Sequence, residues 1–208
     1  MTTITRPSPT VIEQRAQRKS LIASISGQTL EWYEWSAYAV FAPFIAQVMF
    51  NPADPASSLL STLAVFAVGF LFRPLGGIVF GYVADRKGRK FVLITTMLAM
   101  AAASVAIGLM PTYESIGVWA SLGLLLMRIV QGFAHGGESA AANSYVVEIA
   151  PRKKRGFYSS FIVVAIFGGS IIAYTLGGTI AGLSDESFVL QWGWRIPFLL
   201  GAVLALVA

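Results

Sequence analysis

The sequence predicts an all-α membrane protein, a bundle of six helices whose last member is incomplete. Three observations predict it. The 208 residues are 56% hydrophobic and only 12% charged, about half the charge of a soluble domain, with a mean hydropathy of +0.69. Five apolar runs reach the roughly 20 residues that a helix rising 1.5 Å per residue needs to cross a bilayer. The cations are sorted between alternate connections.

Composition also excludes several classes. The net charge of +5 and pI near 9.7 do not mark a nucleic-acid binder, because the basic residues sit in three short segments between apolar runs. The absence of cysteine removes disulfides, thiolate nucleophiles and Cys-ligated metals. A single histidine removes a multi-histidine metal site. No cofactor is expected.

Residues 1–20, with Pro7, Pro9, Arg15, Arg18 and Lys19, predict a cytosolic tail. They do not predict a cleaved signal peptide, because Gln28, Glu31 and Glu34 interrupt the following apolar run and no cleavage site follows. The first span is predicted over about 22–49. Its Gln28, Glu31 and Glu34 recur every three residues and so share a face, among Trp32, Tyr33, Trp35 and Tyr38. Glu31 lies about 14 Å into the span by helical rise. An ionisable group at that depth costs roughly 2.5–3.5 kcal/mol and usually faces a partner or a polar cavity. Each glutamate is therefore read either as a proton carrier or as one half of an ion pair.

The second span, about 58–83, carries Arg73, roughly 18 Å by helical rise from Asp85 at its cytosolic end. A mid-membrane arginine either pairs a buried glutamate or binds an anionic substrate through its planar fork. Next comes Gly81-Tyr-Val-Ala-Asp85-Arg86-Lys87-Gly88-Arg89-Lys90, read as a tight loop in which Gly88 adopts a turn conformation closed to other residues. The third span, about 91–110, stops at Pro111. The fourth, about 117–148, has a polar stripe of Arg128, Gln131, His135, Glu138 and Tyr145 at helical spacing. His135 is the one side chain here whose unperturbed pKa lies near neutrality. The stripe reads as a face toward a functional cavity. The fifth span is predicted over about 157–182. The sixth begins near 195 and reaches Ala208, too short to cross.

The cations set the topology. Arg6, Arg15, Arg18 and Lys19 lie in the tail; Arg86, Lys87, Arg89 and Lys90 between spans two and three; Arg152, Lys153, Lys154 and Arg155 between spans four and five. The connections 51–57, 111–116 and 183–194 have none. Such an asymmetry puts the N-terminus in the cytoplasm. Three pairs, Gly77 with Gly81, Gly132 with Gly136 and Gly178 with Gly182, have the four-residue spacing that lets membrane helices approach closely. Spans two and five are both glycine-rich, which fits two three-helix repeats in inverted orientation.

Several motifs carry a resemblance. Gly81-x-x-x-Asp85-Arg86-x-Gly88-Arg89-Lys90 resembles the loop between helices 2 and 3 of the major facilitator superfamily. Gly27-x-x-x-Glu31-Trp32-Tyr33-Glu34, Arg128-x-x-Gln131-Gly132 followed by Gly136-Gly137-Glu138, Glu148-x-x-Pro151-x-x-x-Arg155-Gly156 and Trp192-Gly-Trp194-Arg195-Ile-Pro197-Phe198 are similar to signatures of its metabolite:proton symporter family. Within it the chain looks most like the α-ketoglutarate and dicarboxylate permeases. It departs from the pattern at Glu34, where aspartate is common, at Ser139, where an aromatic is common, and at His135.

The resemblance implies the N-terminal six-helix half of an alternating-access carrier, with its sixth helix truncated. It implies proton-driven uptake of a small organic acid in the cell (inner) membrane. Its partners would be the acid, protons, the lipid bilayer and a second six-helix half, from the same gene product or another chain. It also implies a cytosolic gating network of Asp85, Arg86, Gly88 and Arg89, with Glu148 and Arg155 nearby. The substrate-binding candidates are Arg73, Arg128 and Tyr38; the proton-coupling candidates are Glu31, Glu34, His135 and Glu138. The competing reading is a non-transporting half, in which the buried charges only pair with one another. An enzyme is not expected, since no metal-ligand cluster, nucleophile elbow or phosphate loop is present. A channel is not expected either, for want of a filter-like segment.

Overall fold

The computed structural model describes residues 11–151 and 154–207, with side chains for all of these except 11–20, 23, 138–145, 147–149 and 206–207. Six long helices run in order: α1 Val11–Met49, α2 Pro55–Lys87, α3 Arg89–Leu109, α4 Val118–Ile149, α5 Arg155–Leu183 and α6 Ile196–Val207. Among the described residues, short pieces join them: single turns at Tyr113–Ile116 and Glu186–Gln191 and a 3-10 turn at Gly193–Arg195. The expected connection 183–194 is thus largely helical.

Local chemistry sets the boundaries. The α2 start is capped by Asp54, whose carboxylate accepts from Ser57 N at 3.1 Å and Ser57 Oγ at 2.6 Å, with Pro55 at the first helical position. Those Ser57 hydrogen bonds hold the Asp54 carboxyl below the usual carboxylate range. The end of α3 falls at Leu109, just before Met110 turns extended ahead of Pro111. α1 starts at Val11, so the second half of the expected tail is helical; residues 1–10 lie outside the described residues. The predicted loop after α2 shrinks to one residue. Asp85, Arg86 and Lys87 complete α2, Arg89 and Lys90 open α3, and only Gly88 stands between them. Its φ of 87° with ψ of 150° is open to glycine alone.

α2 lies against α4, α1 against α5, and α3 between α4 and α6. α2 and α4 run parallel: Gly69 meets Gly132 and Arg73 meets Gly136. α1 and α5 also run parallel, with Thr29 at Gly169 and Val40 at Gly177. The two parallel pairs have the symmetry expected of inverted three-helix repeats.

The glycine expectation needs correction. A Cβ at Gly132 or Gly136 would overlap the backbone of Gly69 or Arg73, but among the described residues Gly81, Gly178 and Gly182 meet nothing within 4 Å, and Gly77 is in ordinary contact. The α2 glycines that a Cβ would drive closest into α4 are Gly69 and Gly76, seven residues apart, and the α5 glycines set against α1 are Gly169 and Gly177. A four-residue glycine spacing marks a face that can pack closely; the partner helix decides whether it does.

The burial pattern is inverted relative to a soluble bundle. Leu71, Ile78, Val164, Phe167 and Ile171 are exposed, whereas Glu31, Arg128, Gln131 and His135 are fully buried. That arrangement suits a chain whose outer solvent is hydrocarbon. Among the described residues, α2, α3, α4 over Val118–Gly137 and α5 are long and apolar enough to cross a membrane. α1 is not among them, because Gln28, Glu31 and Glu34 lower its hydropathy; all three face inward. Beyond them α1 contributes Tyr38, Phe41, Ile45 and Met49 to an apolar core with Leu124, Trp194 and Phe198.

Candidate functional site

The polar residues of α1 enter two adjoining clusters, because a three-residue step turns the helix by about 60° short of a full turn. In the first, the Glu31 carboxylate pairs with the Arg73 guanidinium of α2. Gln28 Nε2 donates to Glu31 Oε2 at 3.1 Å, and His135 Nδ1 of α4 lies 4.0 Å from that oxygen. The Arg73 guanidinium carbon sits 5.4 Å from the centre of the Phe70 ring and 5.7 Å from that of Trp35. The arginine retains 19% exposure, whereas Glu31 and His135 have none.

In the second cluster, Ser104 Oγ of α3 donates to Glu34 Oε1. Gln131 Nε2 donates to Glu34 Oε2 at 2.8 Å and to Ser104 Oγ at 2.8 Å. Arg128 Nη1 donates to Gln131 Oε1 at 2.9 Å, so Gln131 relays between the arginine and the carboxylate. The Arg128 guanidinium is sandwiched by aromatics: 3.7 Å from the Tyr38 ring centre, 5.4 Å from Trp35 and 5.9 Å from Phe198. The Tyr38 hydroxyl donates to Thr62 O at 3.0 Å, which fixes its ring beneath the guanidinium. Gly201 of α6 closes the far side of Glu34, and Tyr33 Oη donates to Pro197 O at 2.9 Å.

Trp35 lies between the two clusters, its ring 5.7 Å from that of His135. Arg128 Nε and Nη2, Trp35 Nε1 and both His135 ring nitrogens are buried without a hydrogen-bond partner among the described residues. Buried polar groups are almost always satisfied. These five atoms, all on three neighbouring side chains, leave donor and acceptor capacity for a ligand or a transferred proton.

The structure therefore brings together seven of the expected residues: Glu31, Glu34, Tyr38, Arg73, Arg128, Gln131 and His135. Within the α4 stripe, Arg128, Gln131 and His135 face α1 and α3. The side chains of Glu138, Tyr145 and Glu148 lie outside the described residues. At the cytosolic end expected for them, Asp85, Arg86, Gly88, Arg89 and Arg155 are exposed. Arg86 stacks on Tyr82 at 4.3 Å and Lys87 on Phe91 at 5.0 Å. Sequence reasoning missed Ser104 and the central position of Trp35. A lone serine in an apolar helix carries no signal of its own, since serine is common at membrane helix contacts.

A family model of sugar (and other) transporters matches residues 19–208. The chain is 39% identical over 198 residues to the glycine betaine/proline/ectoine/pipecolic acid transporter OusA of Dickeya dadantii, covering 95% of this chain and 40% of that protein. It is 38% identical to the α-ketoglutarate permease of Escherichia coli, over 91% of this chain and 44% of the permease. It is 40% identical to the shikimate transporter of the same organism, over 98% and 47%. It thus spans less than half the length of these relatives. The fold matches that of the major facilitator superfamily proton:xylose symporter XylE with a TM-score of 0.81 at 21% identity, over 93% of this chain and 43% of the symporter. These are transporters, not enzymes, and the chain belongs to the sugar (and other) transporter family, with the fold of the N-terminal six-helix half of a major facilitator superfamily protein.

Proposed function

We propose that this chain forms the N-terminal half of a proton-coupled symporter of a small, α-ketoglutarate-like organic acid, working by alternating access with a second six-helix half. The observation that carries the reading is the pair of buried carboxylates set beside the buried Arg128 and the partly exposed Arg73. Glu34 is held by neutral donors from Ser104 and Gln131. It can take up a proton without breaking an ion pair, so we assign it the coupling role. Glu31, shared by Arg73, Gln28 and His135, is the second proton site, with His135 as its exchange partner and Glu138 continuing the stripe. A ligand that binds one state better shifts the equilibrium between states. Protonation of such a site is one such ligand.

Arg128 is assigned to the substrate carboxylate. Its Nε–Nη2 edge has no partner among the described residues and has the planar geometry that a carboxylate accepts. Tyr38 holds that guanidinium from one side, and Arg73 contributes the second positive charge. α-Ketoglutarate, shikimate, proline and glycine betaine, the compounds named for the relatives, all carry a carboxylate, which supports an acid as substrate. Asp85, Arg86, Gly88 and Arg89 would gate the cytosolic side with Glu148 and Arg155. The protein would sit in the cell membrane with its N-terminus in the cytoplasm.

The test is uptake of radiolabelled α-ketoglutarate into vesicles with an imposed proton gradient, for this chain alone and for the full gene product. Accumulation that an uncoupler collapses supports the reading. Glu34→Gln is expected to retain exchange of label while losing uphill accumulation. Uptake indifferent to the gradient would sink the coupling role. Failure across a panel of organic acids would sink the substrate class. Accumulation by the 208 residues alone would mean that two copies assemble.

A further inference from the structure

The Trp192-Gly-Trp194-Arg195 segment lies outside the two clusters, yet one of its side chains joins two of the helices that reach Glu34. Arg195 Nη1 donates to the carbonyl oxygens of Gly108 and Met110, each at 2.8 Å, and its Nε donates to Gln191 O at 3.1 Å. Gly108 lies in the last turn of α3, where carbonyls lack helical partners, and a cation there also complements the helix dipole. The guanidinium is steadied by the Trp194 ring at 4.6 Å and the Trp192 ring at 5.8 Å. Arg195 immediately precedes α6, so a single side chain ties the end of α3 to the beginning of α6. At this joint the helices touch: a Cβ on Gly108 would lie 2.7 Å from Leu199 Cδ2 and 3.5 Å from Arg195 O.

From that joint both helices run to the same carboxylate. One turn back along α3 is Ser104, which donates to Glu34 Oε1. Further along α6 are Pro197, whose carbonyl receives the Tyr33 hydroxyl, and Gly201, where an added Cβ would lie 3.1 Å from that same Oε1. We propose that Arg195 is a positioning residue for Glu34: by locking α3 to α6 it sets the register in which Ser104 and Gly201 meet one carboxylate oxygen. Among the described residues, the charged and titratable groups that act on Glu34 are Arg128 from α4 and Tyr33 of its own helix. Among the described residues α3 brings a hydroxyl and α6 only backbone. The register of α3 and α6 is therefore the adjustable part of the Glu34 environment. The inference rests on the proton-coupling reading of Glu34.

The experiment measures the pH midpoint of coupled uptake in the full gene product, together with membrane abundance and Tm in detergent, for R195K, R195Q, S104A and the double variant R195Q/S104A. Lysine keeps the charge and three N–H donors but loses the Nε donation to Gln191 O and the planar stacking on the Trp194 ring. The expected result is that S104A and R195Q move the midpoint in the same direction by roughly half a unit to one unit, as loss of one hydrogen bond to a titrating group does. The double variant should move it no further than the larger single change, the mark of residues acting through one contact, and R195K should fall between. A lower Tm or abundance at Arg195 with an unmoved midpoint overturns the proposal, leaving Arg195 a structural cap. Should R195Q not reach the membrane, R195K decides by the same criterion. If S104A itself leaves the midpoint unmoved, the coupling role of Glu34 fails, and the proposal with it. If S104A moves the midpoint but the shifts of S104A and R195Q add, the role of Glu34 stands and the proposal alone fails.

Discussion

At the residue scale, the buried charges were legible because an ionised side chain in an apolar run is expensive to insert and therefore conspicuous. Glu31, Glu34, Arg73, Arg128 and His135 stand out on that ground alone. Their pairing was not legible. Helical spacing puts Gln28, Glu31 and Glu34 on one face, but which neighbour meets each depends on how four other helices pack around α1. Arg73 takes Glu31, while Glu34, one step along, meets a serine and a glutamine instead. A difference in response follows. Removing one member of a buried ion pair costs about 3–5 kcal/mol, while replacing both by apolar or neutral groups of similar size is often neutral. Arg73→Ala is expected to lower the thermal midpoint in detergent and the membrane abundance sharply. Arg73→Met combined with Glu31→Gln should recover most of both, because Gln28 and His135 then face a neutral amide. Thermal unfolding of the two variants checks this; a double variant no better than Arg73→Ala would show that the pair is not what Arg73 contributes to stability.

At the element scale, the long helices follow from hydropathy, and their ends follow from Asp54 with Pro55, from Gly88 and from Pro111. The extension of α1 back to Val11 and the helical turns between α5 and α6 were missed, because neither is apolar enough to register as a span. Glycine spacing gave the kind of contact without its address. Helix pairs in a membrane lack a hydrophobic drive toward each other, so close approach through small residues has to supply the attraction. Only the glycines that a neighbour touches can matter. Gly132→Ala places a methyl against the Gly69 carbonyl, and overpacking of this kind costs roughly 1–3 kcal/mol. Gly178→Ala, in the same motif on α5, meets nothing and should be neutral or gain a little from the lost flexibility of glycine. Thermal midpoints of the two single variants distinguish a contact from a spacing: the first should fall and the second should not. Equal effects would mean that α2 and α4 are not packed through Gly69 and Gly132.

At the scale of the whole molecule, what the sequence could not give is the order of packing, since nothing in a single span says that α4 lies along α2 and α5 along α1. Once that order is known, it tests the charge asymmetry independently. α2 and α4 are parallel, so the Asp85–Lys90 segment and the start of α5, with Lys154 and Arg155, lie at one end of the bundle. α1 runs opposite to α2, its Glu31 meeting Arg73 and its Tyr38 meeting Thr62, so its Val11 end, with Arg15, Arg18 and Lys19, lies there too. Three basic segments far apart in sequence share one end, and Asp54, Glu114, Asp185 and Glu186 lie at the other. Lys and Arg near spans resist translocation, which fixes orientation; with every basic connection at one end, no alternative topology divides the cations more favourably. The prediction is that the Asp85–Lys90 end faces the cytoplasm. The chain has no cysteine, so single replacements report cleanly. Ala53→Cys, in the connection between α1 and α2, should react with a membrane-impermeant maleimide on intact cells. Lys87→Cys, exposed at the end of α2, should react only after permeabilisation. The reverse pattern would invert the molecule and, with it, the side of the membrane from which the coupling site proposed at Glu34 is reached.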